Sequence, residues 1–445
     1  MSEVIVAPAT PWGYGALALV RFSGEGLDEV LRAVLQPFGG WPVPEGRQRR
    51  VYLRDAQGVF DDGVVVIGRA PQTYTGEDTA EVTCHGNPLV VERLVASAQA
   101  AGARLAGAGE FTRRAVLHGK MDLLRAEAVL QVSRARTLDG LQVGVDGLEG
   151  RLSEWVAEIR ETLCEAAAEL EARLDYPADE LAFRADEEVF ALLAETARKC
   201  REIAKTAPVG RTLVDGARVA LVGAVNAGKS SLFNALLGRK RALVHERPGT
   251  TRDVLEVTCT LGPVAVTLLD TAGERATDDP VEAAGLALAQ ELVADADLLV
   301  VVLRAHPEGV DPIGRTLLER TEQRPRVVVY NAIDLPDVAP APADAIPTVA
   351  ITGEGLDELT RSIARALVGE QPGQSRLVIA SSRQRDLFLE VARRVEEAIG
   401  AVPDAGIAVA ADAVTRGIEV IDALTGAETR EAVLYTLFAR FCIGK

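Results

Sequence analysis

The sequence is short of aromatic residues and of cysteines, and both shortages narrow the class of protein. Aromatic residues make up 4% of the 445 residues, so the cores must consist mainly of Ala, Val and Leu, which suit helices and parallel sheets. Five cysteines are scattered along the chain without CxxC spacing: Cys84, Cys164, Cys200, Cys259 and Cys442. An odd number of scattered cysteines favours a reducing cytosol over a disulfide framework or a zinc site.

Long apolar runs and an excess of basic charge are also missing. The longest fully apolar run, residues 298–303, is far shorter than the roughly 20 residues that span a bilayer. The first residues lack the basic and apolar segments of a signal peptide, so we expect a cytoplasmic protein without a membrane segment. The net charge of −17 argues against general nucleic-acid binding, since phosphate contacts need Lys and Arg. Two basic clusters, within 111–136 and 376–394, are most simply interpreted as solvated helix faces.

Changes in pattern divide the chain into four predicted segments. Residues 1–118 mix short β-like runs with helical stretches, which indicates an α+β domain. Residues 119–211 and 373–445 are helical, and apolar residues from 152 to 174 recur at steps of three and four along one long helix. Residues 212–372 alternate strands with helices, which predicts a doubly wound, mostly parallel sheet. We expect this α/β domain to be inserted in an all-helical domain, with the chain entering and leaving at neighbouring points.

The α/β segment is predicted to contain strands at 219–222, 264–269, 298–303, 327–330 and 348–351. A stretch rich in Pro, Ala and Asp, residues 337–347, is predicted to be a loop before the last strand.

A glycine-rich loop, residues 223–230 (GAVNAGKS), follows the first of these strands and precedes a helical segment. This is the phosphate-binding pattern GxxxxGK(S/T) in its strand–loop–helix context. Glycines let backbone N–H groups surround phosphate oxygens at a helix N-terminus, where the dipole favours anions. We expect Lys229 to reach the β- and γ-phosphates as a catalytic residue and Ser230 to bind Mg²⁺. The other predicted contacts of this loop with GTP are Asn226, Ala227, Gly228 and Ser231.

Two further motifs follow predicted strands. The first, DTAG, contributes four candidate nucleotide contacts: Asp270, Thr271, Ala272 and Gly273. Asp270 can hold Mg²⁺ through the ion's shell, and the Gly273 N–H can meet the γ-phosphate. The second motif, NAID, begins with Asn331, which can brace the loop, and ends with Asp334, which can accept from two N–H groups on the edge of guanine. Adenine lacks this pair of donors, so the motif predicts GTP rather than ATP.

A segment between these motifs, residues 248–253 (PGTTRD), carries two further candidates. Thr251 can complete the Mg²⁺ shell once the γ-phosphate is present. Thr251 and its neighbour Arg252 are candidate catalytic residues. An ordinary loop is the alternative interpretation of this segment.

With these motifs in place, the chain resembles the potassium-activated tRNA-modifying GTPases known as MnmE or TrmE. The resemblance covers almost the full length and is most specific outside the GTPase motifs. The segments that carry it are APATPWGYGALALVR (7–21), YTGEDTAEVTCHG (74–86), GEFTRRAVLHGKMDLLRAEA (109–128), GAVNAGKSSL (223–232), PGTTRD (248–253) and RFCIGK (440–445).

The resemblance implies an N-terminal α+β domain that forms a homodimer and binds a tetrahydrofolate derivative, in the 5-formyl or methylene form, as one-carbon donor. It also implies a G domain inserted in a helical domain. With a flavin (FAD)-containing partner of the MnmG or GidA type, the family installs an aminomethyl or carboxymethylaminomethyl group on the wobble uridine of certain tRNAs. The family's folate contacts correspond here to Arg21, Glu81, Lys120 and Lys445.

The resemblance further implies a K⁺ ion beside the phosphates, which takes the place of an arginine finger in phosphoryl transfer. The ion's ligands correspond here to Asn226, the carbonyls of His245 and Arg247, and Thr250. The family's water-orienting acid matches Glu282, a catalytic candidate that would otherwise be interpreted as a solvated glutamate at a helix start. Glu274, directly after DTAG, is its rival for this role.

Some positions depart from the family's pattern, and alternatives remain. Ala332 stands where the guanine motif usually carries Lys, whose stem covers the base, and Val349 with Ala350 replaces a later Ser-Ala element.

The alternative function is a ribosome-assembly or RNA-binding GTPase switch without modification chemistry. A third possibility, an ATPase, is disfavoured by Asp334. Cys442 is either a reactive thiol or, as we prefer, a buried small apolar residue.

Overall fold

The computed structural model describes residues 3–176, 183–238, 254–271, 294–370, 377–426 and 431–445. The chain forms two compact units. The first joins Met1–Glu127 to Glu419–Lys445, and the second is Ala128–Ile418. The predicted fold class, an α+β domain with a helical domain and an inserted α/β domain, is confirmed. The predicted borders after residues 118, 211 and 372 remain predictions.

The strands and helices of the described residues are numbered in chain order. The strands are β1 (Ile5–Pro8), β2 (Leu17–Ser23), β3 (Leu35–Pro37), β4 (Arg49–Asp55), β5 (Gly58–Gly68), β6 (Thr79–His85), β7 (Arg104–Leu105), β8 (Ala217–Gly223), β9 (Val254–Leu261), β10 (Val264–Thr271), β11 (Leu298–Arg304), β12 (Arg326–Asn331) and β13 (Ala345–Thr348). The helices are α1 (Leu27–Val34), α2 (Pro88–Ala100), α3 (Glu110–Leu117), α4 (Leu123–Arg134), α5 (Leu138–Glu149), α6 (Arg151–Asp175), α7 (Asp186–Ala204), α8 (Ala207–Asp215), α9 (Lys229–Gly238), α10 (Pro312–Arg320), α11 (Leu356–Val368), α12 (Ser382–Ala405), α13 (Ile407–Thr425) and α14 (Glu431–Phe438).

The first unit contains a seven-stranded sheet in the order β3-β4-β5-β6-β2-β1-β7. All neighbouring strands are antiparallel except β1 and β7, which are parallel. Because side chains alternate between the faces of a strand, Ala80, Val82 and Cys84 of β6 enter one core. Leu31 of α1 and Leu94 of α2 belong to the same core, so both helices cover this face of the sheet.

A buried network of charges lies between α3 and the loop before β6. Arg114 Nη1 lies 2.9 Å from Glu77 Oε2, and its Nη2 lies 3.0 Å from Glu110 Oε1. Arg104 Nη2 lies 2.7 Å from the same Glu110 oxygen, and the Ser23 hydroxyl donates to Glu77 Oε2 at 2.7 Å. Arg114, Glu77 and Glu110 are each at most 7% exposed, which is tolerable because every charge is paired. The prediction of a solvated basic face is therefore wrong for Arg114.

This network lowers the pKa of Glu110. Burial opposes ionisation of the carboxyl group, but hydrogen bonds from Arg104, the Gly107 N–H and Arg114 outweigh it, and the pKa falls from 4.5 to about 2. The folded pKa lies below the ordinary value. Ionised Glu110 therefore stabilises the fold fully above pH 4.5, and this stabilisation is lost as the pH falls from 4.5 through about 2.

The C-terminal residues of the chain pack against the start of α3 and the end of β1. The Gly109 N–H donates to the Cys442 carbonyl at 3.3 Å. Gly444 has φ +94°, and a Cβ atom there would lie 2.2 Å from the Pro8 carbonyl oxygen, so only glycine fits. Two motifs of the sequence, GEF at 109–111 and the C-terminal hexapeptide, therefore form one contact in the first unit.

The cysteines differ in exposure. Cys442 is exposed, so the preferred interpretation of it as a buried apolar residue is wrong. All five cysteines are free thiols. Burial raises the pKa of Cys84 to about 11 and that of Cys200 to about 12, which leaves both thiols protonated at neutral pH.

The second unit contains a six-stranded sheet in the order β13-β12-β11-β8-β10-β9. All neighbours are parallel except β9 and β10, so the sheet is mostly parallel as predicted. The last predicted strand, 348–351, is wrong, because β13 is Ala345–Thr348 and begins inside the predicted loop 337–347. Pro347 lies in β13, which is possible because an edge strand needs hydrogen bonds on one side only.

The helices of the second unit connect the segments before and after this sheet. Helix α7 packs against α12, and Arg201 of α7 forms an ion pair with Glu396 of α12. The Ile379 N–H donates to Thr206 Oγ1 at 3.1 Å, and a Cβ atom at Gly210 would lie 2.1 Å from the Ile379 carbonyl oxygen. The chain therefore enters and leaves the α/β part at neighbouring points, as the insertion requires.

The long helix α6 follows the predicted apolar stripe. Leu152, Val156, Ile159, Leu163 and Leu170 are buried, as the steps of three and four predict. Leu174, in the last turn, is 52% exposed and departs from the stripe.

Two predictions concern the protein surface: a solvated basic helix face, and the absence of a membrane segment. Arg393 and Arg394 of α12 form ion pairs with Glu390 and Glu397, which fits the interpretation of the second basic cluster as a solvated helix face. Among the residues that the structure describes, every helix is too short or too polar to cross a bilayer.

Replacing Glu110 with Gln should destabilise the first unit in a pH-dependent manner. We expect the free energy of unfolding at pH 7 to fall by about 2–3 kcal/mol, because the shifted carboxylate and its charged hydrogen bonds are lost. Calorimetry of the full chain at pH 7 and at pH 3 measures this, and the difference between variant and wild type should shrink at pH 3. The control is Glu92→Gln, an exposed position on α2. An equal deficit at both pH values would contradict the role of the ionised carboxylate.

Candidate nucleotide-binding site

The phosphate-binding loop joins β8 to α9. The side chain of Lys229, the first residue of α9, is 6% exposed. Its Nζ donates to the Gly223 carbonyl at 2.9 Å and to the Ala224 carbonyl at 3.0 Å. The ammonium group is therefore held at the start of the loop, beside a helix N-terminus that favours anions.

The backbone of this loop adopts left-handed conformations at two positions. Asn226 has φ 64° and Gly228 has φ 92°. Arg304, at the end of β11, donates from Nη1 to the Asn226 carbonyl at 3.0 Å. Arg304 was not predicted as a site residue. Its position directly after the strand predicted at 298–303 could have identified it. Asn226, Ser230 and Ser231 are exposed, as contacts with a ligand require.

The side chain of Asn331, at the end of β12, connects three segments of the chain. Its Nδ2 donates to the Ala227 carbonyl at 3.1 Å. Its Oδ1 accepts from Thr348 Oγ1 at 3.2 Å and from the Ala350 N–H at 3.3 Å. A Cβ atom at Gly228 would lie 2.2 Å from Asn331 Nδ2, so the glycine is required for this approach. Asn331 thus braces the phosphate-binding loop and the segment after β13 as well as its own loop, which is more than the NAID motif alone predicts.

Asp334 lies on an exposed turn directly after this brace. The Ala332 N–H donates to the Thr348 carbonyl at 2.9 Å, and the Leu335 N–H donates to the Ala332 carbonyl at 3.3 Å. Ala332 itself has φ 66°, a strained conformation for alanine. The carboxylate of Asp334 is exposed, so it is accessible to donors on the edge of a base.

Asp270 is the second-last residue of β10, which is next to β8 in the sheet. It pairs in register with Leu221 of β8, so it lies at the same edge of the sheet as the loop that follows β8. Its Oδ1 is buried and accepts no hydrogen bond from the residues that the structure describes. A buried carboxylate oxygen with free lone pairs is a ligand that Mg²⁺, or water bound to it, would satisfy. The residues present therefore fit a magnesium ion.

Several predicted site residues lie outside the described residues, and Thr271 lies at the border as the last residue of β10. Those outside are Glu274, Glu282, Thr250, Thr251, Arg252, His245, Arg247, Ala272 and Gly273.

A second polar cluster, here called the Arg21 cluster, lies in the first unit and consists of Arg21, Tyr74, Glu81, Phe111 and Gly444. Arg21 and Glu81 face each other across β2 and β6, and Arg21 Nη2 lies 2.8 Å from Glu81 Oε1. Arg21 Nη1 donates to the Gly444 carbonyl at 3.1 Å, and its guanidinium lies 5.7 Å from the centroid of the Phe111 ring. Burial raises the pKa of Tyr74, partly offset by a hydrogen bond with Thr112 and by the charge of Arg21.

The four predicted folate contacts are only partly brought together. Arg21 and Glu81 form a direct ion pair, and Lys445 follows the Gly444 carbonyl to which Arg21 donates. Lys120 contacts another segment, where its Nζ donates to the Pro71 carbonyl at 2.9 Å. Tyr74 was not predicted to belong to this cluster, although it is the first residue of the motif at 74–86.

Two families of known proteins match the chain. The family described as "GTP-binding protein TrmE N-terminus" matches residues 4–120, and the family described as "MnmE helical domain" matches residues 123–442. Together they span nearly the whole sequence.

Curated relatives match over the full length. The chain is 38% identical over 466 residues to the tRNA modification GTPase MnmE of Roseiflexus sp. (strain RS-1), which covers 100% of this chain and 99% of that protein. It is 39% identical over 469 residues to the protein of the same name from Roseiflexus castenholzii, and the match covers 100% of this chain and 99% of that protein. It is 38% identical over 452 residues to the Thermus thermophilus protein of that name, with 100% of both chains covered.

Replacing Asn331 with Ala should weaken nucleotide binding and destabilise the second unit. The Ala227 carbonyl loses its donor from Asn331, and the Thr348 hydroxyl loses its acceptor, which costs about 1–3 kcal/mol for each buried polar group left unpaired. We expect the Kd for Mg–GDP to rise at least tenfold, measured by calorimetric titration. The control is Thr348→Val, which removes one of the three contacts and should have a smaller effect. An unchanged Kd in Asn331→Ala would contradict the brace.

Proposed function

The chain belongs to the MnmE family of tRNA modification GTPases, and from this we propose the details of how it works. It is a GTP hydrolase that acts in tRNA modification. We propose that K⁺ activates its hydrolysis, and that with a FAD-containing partner it adds an aminomethyl or carboxymethylaminomethyl group to the wobble uridine. A tetrahydrofolate derivative, in the 5-formyl or methylene form, would supply the one-carbon unit. We further propose that the protein works in the cytoplasm.

In this proposal the phosphate loop and its neighbours bind Mg–GTP. Lys229 exchanges the Gly223 and Ala224 carbonyls for the β- and γ-phosphate oxygens, which offer negative charge at the same helix end. Ser230 and Asp270 would hold Mg²⁺ beside the phosphates. This assignment is supported by the buried Asp270 oxygen that accepts no hydrogen bond from the described residues. Bound Mg²⁺ would neutralise charge on the phosphates.

Further contacts with the triphosphate come from neighbouring backbone and side chains. The proposed contacts are Asn226, Ala227, Gly228, Ser231, Thr271, Ala272 and Gly273. In the segments outside the described residues, we propose that Thr251 completes the Mg²⁺ shell, that Arg252 assists hydrolysis and that Glu282 orients the attacking water. Glu274 is the alternative to Glu282.

Guanine selection is assigned to Asp334. Its exposed carboxylate accepts from the ring N–H and the amino group of guanine, and adenine has no such pair of donors. Asn331 supports the assignment, because its hydrogen bonds fix this turn to the phosphate loop and to the segment after β13. The base and the phosphates are therefore bound by segments that are tied to each other.

The K⁺ site is assigned to Asn226 and the segment at 245–250. The left-handed backbone of Asn226 and the hydrogen bond from Arg304 to its carbonyl support a defined position for its exposed amide. The carbonyls of His245 and Arg247, together with Thr250, are the other proposed ligands. A bound monovalent cation would spread the charge that develops during phosphoryl transfer.

The observation that carries the one-carbon part of the proposal is the Arg21 cluster. Arg21 pairs with Glu81 and donates to the backbone of the C-terminal hexapeptide, which leads directly to the charged Lys445. Cations and one carboxylate suit a ligand with a pterin ring and a glutamate tail. Lys120 is proposed as a further contact of the tail.

A homodimer through the first unit is supported by exposed apolar side chains. Trp12, Tyr14 and Leu17 are 65%, 85% and 65% exposed and lie within six residues of one another. Aromatic residues exposed together are typical of interfaces.

Hydrolysis of GTP should depend on K⁺. We expect kcat in KCl to exceed kcat in matched NaCl by roughly 10²-fold, the scale on which one preorganised charge contact acts in a transition state. Phosphate release by the purified protein measures this, with ATP as the nucleotide control. Asn226→Ala should reduce the rate in KCl toward that in NaCl and change the rate in NaCl much less. Equal rates of the wild type in both salts would refute the K⁺ assignment.

Binding of 5-formyltetrahydrofolate should require Arg21. Arg21→Ala removes a charged donor, so we expect Kd to rise at least tenfold. Calorimetric titration measures the affinity, and thermal unfolding checks that the variant is folded. The matched control is Arg50→Ala, which breaks an exposed ion pair with Asp62 in the same sheet and should leave Kd unchanged. A wild-type protein that binds no folate would instead favour a GTPase switch without modification chemistry.

A further inference from the structure

The outer face of the sheet in the first unit carries a stack of flat side chains to which the proposed function assigns no role. Val51 and Leu53 of β4 are buried in the core, so Tyr52 between them lies on the opposite face of the sheet. Phe38 directly follows the edge strand β3, and the centroid of its ring lies 4.5 Å from that of Tyr52. The guanidinium of Arg50 lies 4.8 Å from the centroid of the Phe38 ring. Phe38, Arg50 and Tyr52 are here called the Tyr52 platform.

Hydrogen bonds hold this platform in a defined arrangement. Arg50 donates from Nε and from Nη2 to Asp62 Oδ2 at 3.1 and 2.9 Å, which orients the plane of its guanidinium. The Phe38 N–H donates to the Arg50 carbonyl at 3.0 Å, and Arg49 Nη1 donates to the Phe38 carbonyl at 3.3 Å. Phe38 and Tyr52 are nevertheless 37% and 36% exposed. The platform is therefore a preformed flat surface that is open to solvent, and little side-chain freedom would be lost when a ligand stacks on it.

Arginines surround the platform, although the chain as a whole is acidic. Residues 32–54 contain a single acidic residue, Glu45, in a chain whose net charge is −17. The same residues contain five arginines: Arg32, Arg47, Arg49, Arg50 and Arg54. Among the residues that the structure describes, a carboxylate lies within ion-pair distance of Arg50 alone, and that carboxylate is Asp62. The region of the platform therefore has an excess of positive charge.

Aromatic rings together with arginines suit a nucleic acid whose bases are not paired. A single-stranded base stacks on aromatic rings and on guanidinium planes, and its phosphates bind arginines. The excess of positive charge favours a polyanion over a protein partner. We propose that the Tyr52 platform stacks an unpaired base of an RNA and that the arginines around it bind the adjoining phosphates. This inference rests on the proposed function in tRNA modification, and it assigns a surface of the first unit to contact with the RNA.

The test of stacking measures binding of RNA to the full chain by fluorescence anisotropy. The probes are a labelled single-stranded RNA of mixed sequence, about 12 nucleotides long, and a duplex of the same length. Tyr52→Leu keeps an apolar side chain but removes the ring, so the Kd for the single strand should rise about tenfold. Tyr52→Phe retains the ring and should leave this Kd within about twofold. Both variants should leave the Kd for the duplex within about twofold, because its bases are already stacked on one another.

The test of the phosphate contacts uses the salt dependence of the same Kd. Arg47→Gln and Arg54→Gln each remove one exposed charge. Each should lower the slope of log Kd against log salt concentration by about 0.7 for the single strand. Two variants in the second unit are the controls: Tyr176→Leu, whose tyrosine is 52% exposed, and Arg320→Gln, an exposed arginine of α10. Both controls should leave the Kd and the slope unchanged, and thermal unfolding checks that every variant is folded.

Two outcomes overturn the inference. One is a Kd for the single strand that Tyr52→Leu leaves within about twofold, which would assign the platform to a protein partner instead. The other is an equal loss of duplex binding in Tyr52→Leu, since stacking on an unpaired base cannot weaken a duplex. Failure of the proposed function is distinguishable. If the wild type binds neither the single strand nor a tRNA transcript, the proposed action on tRNA fails and the inference with it. If the wild type binds both and only Tyr52→Leu has no effect, the inference alone fails.

Discussion

The hydrogen bonds of the Asn331 side chain connect the phosphate loop to both segments of the proposed base site. One side-chain amide donates to Ala227 and accepts from Thr348 and Ala350, so three loops share one buried polar group. Such a group is costly if unpaired and strongly directional when paired, so these hydrogen bonds hold the three loops in one arrangement. The glycine at 228 is the condition for this arrangement, because any side chain there would collide with the amide. The proposed sites for the phosphates and for the base are therefore connected by hydrogen bonds.

The first unit is organised by charge in a comparable manner. Arg114 is enclosed by two carboxylates, and Arg21 by a carboxylate and a backbone carbonyl of the C-terminal segment. The first arrangement is buried and stabilises the fold, whereas the second is partly exposed and is available to a ligand. The difference follows from burial, since a charge that no solvent reaches must be fully paired by protein, and one at a surface need not be.

Features of the protein that depend on neighbouring residues were predicted correctly, whereas features that depend on contacts between distant residues were not. The α6 stripe and the phosphate loop were predictable because each depends on fewer than about 25 neighbouring residues. The last strand was misplaced because Pro347 and its neighbours resemble a loop locally, and only pairing with β12 makes them a strand. Arg114 appeared to be surface charge because its partner Glu77 is 37 residues away. Cys442 was expected to be a buried apolar residue, but it is exposed, and its carbonyl accepts a hydrogen bond from the distant Gly109 N–H.

The amino-acid sequence by itself determined which residues are proposed for the nucleotide site, because the phosphate loop, the proposed magnesium carboxylate Asp270 and the proposed guanine carboxylate Asp334 each belong to a short motif. It also determined the alternation of strands and helices, since hydrophobic period is a local property. Only the tertiary structure decided which motifs meet. The partners of Asn331 and Arg21 lie up to 104 and 423 residues away, and no local pattern encodes such pairs.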